Sequence, residues 1–324
     1  MKEICRLKVI VIGDLMLDHY IWGDTRRISP EAPVPVIEIE RESYTAGGAA
    51  NVALNLASLG VNVTLCGLLG LDVAGVNLRS VLAKSGINYP DVFQLKNFST
   101  VVKTRVMVRN QQLCRLDAEL SPDNHCPHRN GITNAILSPV QEADAVIISD
   151  YAKGIVTQDL IDQILRITRN TNAVVAIDPK PKRRLNYRGV SFMTPNRNEA
   201  LELAGMDHHM SLTDFPIEEV GKKIFSDYDP TSLIVTLGAD GMVVYHSHDK
   251  YLRIPTAARE VYDVSGAGDT VVAVLTAARA AGFSLEDSAQ MANLAAGIVV
   301  GKVGTAVVSR EELHIVLPEH LKMI

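Results

Sequence analysis

The sequence predicts an α/β fold: a doubly wound, mostly parallel sheet with helices on both faces, carrying a small β-sheet lid. Three observations predict it. Short runs such as Val9-Ile10-Val11-Ile12 and Ala145-Val146-Ile147-Ile148 are apolar throughout, the pattern of strands covered on both faces. Amphipathic stretches of helical length alternate with such runs, which argues for parallel strands joined by crossover helices. Two further segments, 36–40 and 101–117, are strand-like but mixed with charge, as half-exposed antiparallel strands are.

Composition sets the outer limits. A chain of 324 residues, 47% hydrophobic and 21% charged, fits one large globular domain over residues 1–324. The formal net charge of −5 gives no reason to expect nucleic acid or an anionic membrane as partner. Cys5, Cys66, Cys114 and Cys126 lack the paired spacing of a zinc site or a disulfide framework, so a reducing cytoplasm is expected. The apolar run 9–12 is broken at once by Gly13-Asp14 and reads as a buried strand rather than a signal peptide. No stretch of about twenty apolar residues occurs, so no membrane span is expected.

The first strand, 8–12, ends in Gly13-Asp14-Leu15-Met16-Leu17-Asp18. Ligands of open α/β sheets gather at the carboxyl ends of strands, which makes Asp14 and Asp18 candidate substrate contacts, with loop capping as the alternative. Residues 20–45, punctuated by Pro30, Pro33 and Pro35, do not fit a helix. Together with 98–118 they are read as the lid, a cover that excludes water. Such a sheet has edges and an apolar face to bury, so a homodimer through the lid is expected. Gly47-Gly48 precedes a helix over 51–59 and lets a ligand approach the backbone. Asn51, at the helix mouth, can donate and accept hydrogen bonds with hydroxyls, a tight helix entry being the alternative. A strand over 63–68 and a helix ending at Lys84 follow. The second half predicts strands over 145–148, 173–177, 191–193 and 232–236, then a hairpin of 242–245 with 251–254. Its helices fall at 158–169, just after Asn196, at 270–281 and at 285–301.

The chemistry concentrates in Asp263-Val264-Ser265-Gly266-Ala267-Gly268-Asp269. Small residues before a helix let several N–H groups point at one spot, and the helix N-terminus favours an anion there, phosphate above all. An acid in the first turn could take a proton from a hydroxyl held beside that phosphate. Gly266, Ala267 and Gly268 thus form a candidate anion hole and Asp269 a candidate base, the arrangement of phosphoryl transfer to an alcohol. An aspartate-capped helix start is the alternative. Asn196 and Glu199, three apart at a helix start, suit either water-bound Mg²⁺ or a capping box. A Walker A loop is excluded, because the stretch from Gly297 to Lys302 is one residue short and Val303 has no hydroxyl. The dinucleotide fingerprint is missing after the first strand.

Together these segments resemble the ribokinase (PfkB) family of carbohydrate kinases over nearly the whole chain. Gly47-Gly48-Ala49-Ala50-Asn51 is similar to its sugar-side signature, and residues 263–269 to its C-terminal one. The resemblance implies that Asp269 is the base and Gly266 to Gly268 the anion hole. It implies that Asp14, Asp18, Gly47, Gly48 and Asn51 face the sugar. Asn196-Arg197-Asn198-Glu199 matches the N-x-x-E motif associated with Mg²⁺ and phosphate, Glu199 acting through water. Thr236-Leu237-Gly238-Ala239-Asp240-Gly241 matches the nucleotide side, with Thr236, Gly238 and Gly241 its candidate contacts. Asp263 is a candidate ligand for a monovalent cation such as K⁺.

A finer resemblance, to the heptose 7-phosphate kinases of that family, rests on four segments: 28–36, Arg109-Asn110-Gln111-Gln112-Leu113, Ser149 to Gly154, and Asp178-Pro179-Lys180. It implies ATP-dependent phosphorylation of O1 of D-glycero-β-D-manno-heptose 7-phosphate, for ADP-heptose and lipopolysaccharide-core synthesis. It also implies a kinase domain without the adenylyltransferase domain to which many bacteria fuse it. Arg105, Arg109, Lys153 and Lys180 are candidates for the phosphate the sugar already carries, with solvated lid charges as the alternative. Pro181 stands where the family usually has glycine. A kinase of fructose 1-phosphate, tagatose 6-phosphate or an epimeric heptose phosphate, and a sugar-binding regulator on a kinase scaffold, remain alternative readings.

Overall fold

Alternate side chains of each central strand enter opposite cores. Val9 and Val11 of β1 (Lys8–Gly13) join one apolar cluster, and Ile10 and Ile12 join the other. That division is the period of two expected of a strand covered on both faces. The structure, a computed structural model, describes residues 3–109, 111–119, 131–206 and 215–322. Asn110 and Cys126, named above, lie outside the described residues.

After β1 the chain enters a long hairpin, β2 (Leu15–Ile28) and β3 (Pro35–Gly48), then α1 (Ala49–Ser58) and β4 (Asn62–Cys66). A two-residue strand β5 (Leu69–Gly70), helix α2 (Val73–Lys84) capped by Asp72, and β6 (Gln94–Leu95) lead to a second hairpin, β7 (Val101–Val108) and β8 (Gln111–Ala118). Helix α3 (Ile132–Leu137) precedes the regular alternation of β9 (Ala145–Ser149), α4 (Gln158–Thr168), β10 (Val174–Asp178), β11 (Phe192–Met193), α5 (Arg197–Leu203), α6 (Ile217–Tyr228) and β12 (Ser232–Thr236). The hairpin β13 (Met242–Ser247) and β14 (Lys250–Ile254) is followed by helices α7 (Ala267–Ala280), α8 (Leu285–Val299), α9 (Arg310–Val316) and α10 (Glu319–Lys322).

Eight strands form the main sheet in the order β14-β13-β12-β11-β10-β9-β1-β4, parallel from β12 to β4 and antiparallel at β13 and β14. One face is covered by α1, α7 and α8, whose small Ala- and Val-rich faces pack closely, and the other by α4, α5 and α6. A separate four-stranded sheet, β3-β2-β7-β8, is the lid.

The lid is larger than expected. Residues 15–18, read from sequence as a loop, begin β2, and Gly47-Gly48 end β3 rather than opening a helix-entry loop. Strand β2 is buried over its first four residues and exposed at its end. It passes from core to solvent, so no single hydrophobic period marks it. The short helix α3, the amphipathic α6, and α9 and α10 beyond the last predicted helix were not anticipated, nor was the β5–β6 pair. Among the described residues no helix is long and apolar enough to cross a membrane.

Candidate active site

Helix α7 begins at Gly266, which caps it in the left-handed region at φ 82°. A Cβ there would lie 2.6 Å from Asn51 Nδ2, so the position admits no side chain on either ground. Asp269, in the first turn, is 4% exposed. Its Oδ2 accepts from Asn51 Nδ2 at 2.8 Å and its Oδ1 from Tyr151 Oη at 2.7 Å. Asn51 is itself fixed by Asn55, whose amide donates to the Asn51 carbonyl at 3.0 Å and whose Oδ1 accepts from Thr270 Oγ1 at 3.0 Å. Burial pushes the Asp269 carboxyl up to about 6, against the opposing hydrogen bonds from Asn51 and Tyr151. A carboxylate ionised at neutral pH yet more basic than usual suits a general base.

Tyr151 owes its place to Asp14. The buried Asp14 carboxylate accepts the backbone N–H groups of Tyr151 at 2.9 Å, Lys153 at 3.0 Å and Ile155 at 3.2 Å. Asp14, expected as a substrate contact, is placed with its oxygens holding the loop after β9. The anion hole also changes in detail. The Ala267 N–H turns back to the Val264 carbonyl at 3.3 Å, whereas Gly266 and Gly268 line the cleft beside Asp269. Asp263 closes the same loop, accepting the Ser265 N–H at 2.8 Å.

On the lid side, Asp18 is buried in β2 and accepts from Arg105 at 2.6 Å and from Thr305 Oγ1 at 2.9 Å. Gly47, paired with Met16 across the hairpin, lies close by: a Cβ there would stand 2.8 Å from Asp18 Oδ2, so a side chain would have to displace that carboxylate. Gly48, at φ 60°, would bring a Cβ within 2.6 Å of the Asp14 carbonyl. The four candidate phosphate cations are spread over the site, each paired with a carboxylate. Arg105 is bound to Asp18, and Lys153 pairs with Glu119. Arg109 pairs with Asp24 at 3.0 Å on an exposed part of the lid, about 20 Å along β2 from Asp18 at the usual rise per residue. Lys180 pairs with Glu199 at 2.8 Å and lines the same cleft as Asp269.

That cleft, about 190 Å³, is lined by Asp150, Asp178, Lys180, Asn196, Glu199 and Thr236 as well as by the α7 loop. Burial raises the carboxyl of Asp150 to about 7 and that of Asp178 well above its ordinary range, with Glu199 and Asp269 adding to the latter. Asp150 Oδ2 is buried without a hydrogen-bond partner. Crowded carboxylates of this kind favour a cation; Arg183 stands 3.9 Å from Asp150 Oδ1, and Lys180 pairs with Glu199. Among the described residues no three His, Cys, Asp or Glu side chains form a metal cage. A hard cation such as Mg²⁺, which takes one or two carboxylates and completes its shell with phosphate oxygens and water, fits the oxygen donors present.

The N-x-x-E segment builds a full capping box. Asn196 accepts the N–H groups of Asn198 and Glu199, and Glu199 Oε2 accepts the Asn196 N–H at 3.0 Å. Arg197 pairs with Asp240 and lies over the Phe215 ring at 5.7 Å, while Asn198 is exposed. The Thr236 N–H donates to the Pro195 carbonyl at 3.1 Å, joining the two segments. Gly238 at φ 64° and Gly241 at φ 83° form the turn that follows; a Cβ at Gly241 would strike the Ile254 carbonyl.

Sequence reasoning missed Tyr151, Asp150, Asp178 and Thr305 as individual site residues. Tyr151, Asp150 and Asp178 stand just past β9 or at the end of β10, the signal that would have found them. Thr305 comes 285 residues after Tyr20, to which its N–H donates at 3.2 Å, and nothing local marks it.

The family model of pfkB family carbohydrate kinases matches residues 6–312. Bifunctional protein HldE of Actinobacillus succinogenes is 45% identical over 306 residues, covering 94% of this chain and 62% of its own length. The protein of the same name from Haemophilus influenzae Rd is 44% identical over 312 residues, 96% of this chain and 63% of its own. The chain thus spans less than two thirds of these relatives. Arabidopsis thaliana ribokinase complexed with ribose and ATP superposes with a TM-score of 0.72 at 20% identity, covering 95% of this chain and 97% of its own. Escherichia coli phosphofructokinase-2 in complex with potassium does so with 0.72 at 18% identity, covering 96% and 97%. At these identities the structural likeness speaks for the fold.

Proposed function

This chain belongs to the pfkB family of carbohydrate kinases, and we propose that it transfers the γ-phosphoryl group of ATP to O1 of a sugar that already carries a phosphate. The acceptor we infer is D-glycero-β-D-manno-heptose 7-phosphate, and the product its 1,7-bisphosphate. The observation that carries the reading is Asp269, a desolvated carboxylate aimed by Asn51 and Tyr151 at the mouth of a helix N-terminus. The relatives named HldE support the choice of a heptose phosphate.

The base acts from a fixed position. Asp269 takes the proton from the sugar hydroxyl as that oxygen attacks, while the N-terminus of α7 receives the developing charge of the transferred group. Asp18, held by Arg105 and Thr305, orients the sugar from the lid side. Lys180 and Glu199 hold the donor side, and Mg²⁺, when bound, would neutralise the phosphate oxygens there. The lid excludes water from the acceptor. Its exposed Ile28, Ile39, Leu113 and Leu116 support a second copy covering it.

The test is sugar-dependent ADP release over a panel: the heptose 7-phosphate, the same heptose without phosphate, fructose 1-phosphate and tagatose 6-phosphate. The heptose phosphate is expected to give the highest kcat/KM. A higher value for either of the other two sugar phosphates overturns the substrate, and no ADP release with any of the four overturns the kinase reading.

A further inference from the structure

The cleft-facing side of the lid carries more cations than the four considered above. Register places Lys103 of β7 opposite Asp18 of β2 and Asp117 of β8, and Arg105 opposite Tyr20 and Arg115. Paired residues share a face, so Asp18, Tyr20, Lys103, Arg105, Arg115 and Asp117 all project from the same side of the sheet. Tyr20 and Asp18 bind Thr305, which identifies that side as the one over the active site.

Like charges directly opposite one another on a sheet are unfavourable, and the lid divides its carboxylates between the two arginines. Arg105 goes to Asp18, and Arg115 binds Asp117 through two bonds of 2.8 and 2.9 Å. Lys153, on the loop after β9, is taken by Glu119. Lys103 is left between these pairs. Among the described residues no ion pair engages it, and its ammonium lies 5.9 Å from the centre of the Tyr151 ring. Burial lowers its pKa, and of the charges around it Arg115 and Lys153 act in the same direction while Asp18 and Asp117 oppose it. A half-buried ammonium crowded by other cations calls for an anion.

The position selects which anion. The donor-side cleft, with Lys180 and Glu199, does not include Lys103. Tyr151 meets both groups: its hydroxyl binds the base, and the lysine ammonium lies over its ring, close enough for its charge to act on Asp269. Lys103 thus reaches from the lid to the ring whose hydroxyl holds Asp269, within reach of the far end of an acceptor bound there. We propose that Lys103, flanked by Arg115 and Lys153, is the binding site for the phosphate monoester already on the acceptor sugar. This rests on the reading above that the acceptor is a sugar phosphate. Lys103 acts in binding and leaves the chemical step to Asp269.

The experiment compares wild type and Lys103→Met on D-glycero-β-D-manno-heptose 7-phosphate and on the unphosphorylated heptose. Wild type is expected to favour the phosphorylated sugar strongly. Lys103→Met should raise KM for it about 10- to 100-fold, the range for one charge-assisted contact, with kcat and the KM for ATP little changed. Its kcat/KM for the unphosphorylated sugar should fall far less than for the phosphorylated one, and Lys103→Arg should recover part of the loss. A wild-type enzyme with no preference for the phosphate overturns the functional reading. A wild-type preference, with Lys103→Met losing equally on both sugars or losing kcat instead of KM, leaves that reading standing and overturns the assignment of Lys103. Melting temperature checks that both variants are folded; if Lys103→Met melts far lower, Lys103→Gln replaces it, with the same outcomes deciding.

Discussion

Replacing Tyr151 with phenylalanine removes one oxygen from the site and tests how the base is tuned. Tyr151 Oη donates to Asp269 Oδ1 at 2.7 Å, and the hydroxyl keeps its own proton because burial, chiefly, raises its pKa well above the ordinary value. The bond favours the ionised form of Asp269, so its loss raises the carboxyl above its present value of about 6. A hydrogen bond to a charged group is worth about 1.5–3 kcal/mol, and one pH unit about 1.4 kcal/mol, so the shift is about one to two units. At pH 7 the ionised fraction would fall from about nine tenths to between about one half and one tenth. The acid limb of kcat/KM against pH, which reports the free enzyme, should move upward by that interval and activity should largely recover near pH 9. The second ionisation of a sugar phosphate also lies near 6, but it is common to both enzymes, so the displacement between their profiles is the readout. The aromatic ring of the variant would stay in place, because Asp14 holds this loop by backbone N–H groups alone. A limb that stays put, or moves to lower pH, refutes the role of Tyr151 in tuning the base.

Two other substitutions probe the same loop. Asp269→Asn should lower kcat by about 10²–10⁴, the usual worth of a positioned base. It should not lower the melting temperature at neutral pH. The Asp269 carboxyl is raised from 3.8 to about 6, so its ionisation opposes folding: the cost is absent below about 4, grows through about 6 and is complete above, at most about 3 kcal/mol. An asparagine has no such cost, and a clearly lower melting temperature would indicate a structural rather than a chemical role. Gly266→Ala should reduce activity severely and destabilise the fold by more than about 1 kcal/mol, since it strains φ 82° and drives a methyl group into Asn51. Denaturant titration gives the stability and ADP release the activity; an unaffected variant would show that the loop can be built without glycine.

What the sequence determined by itself is the local part of this protein. Continuous apolar runs such as 9–12 and 145–148 can be satisfied only by strands buried on both faces, so the parallel sheet follows from residue type alone. The 263–269 loop is local in the same way, because small residues before an apolar helix let its first N–H groups face an anion. Capping by Asn196 and Glu199 is equally local, and both of the alternatives weighed for it involve the same two side chains. Tertiary structure decided everything that depends on partners distant in the chain. Asp14 and Asp18 look equivalent in sequence, yet one braces a backbone loop 137 or more residues away and the other meets Arg105 and Thr305 on the lid side of the cleft. The cations differ likewise. Arg105, Arg109, Lys153 and Lys180 are each claimed by a nearby carboxylate, while Lys103 is left over by the pairing of strands. The physical reason is that a charged side chain has no fixed role of its own. Its function is set by which opposite charges and how much water the fold leaves within reach, and strand register and loop packing, rather than residue type, determine both.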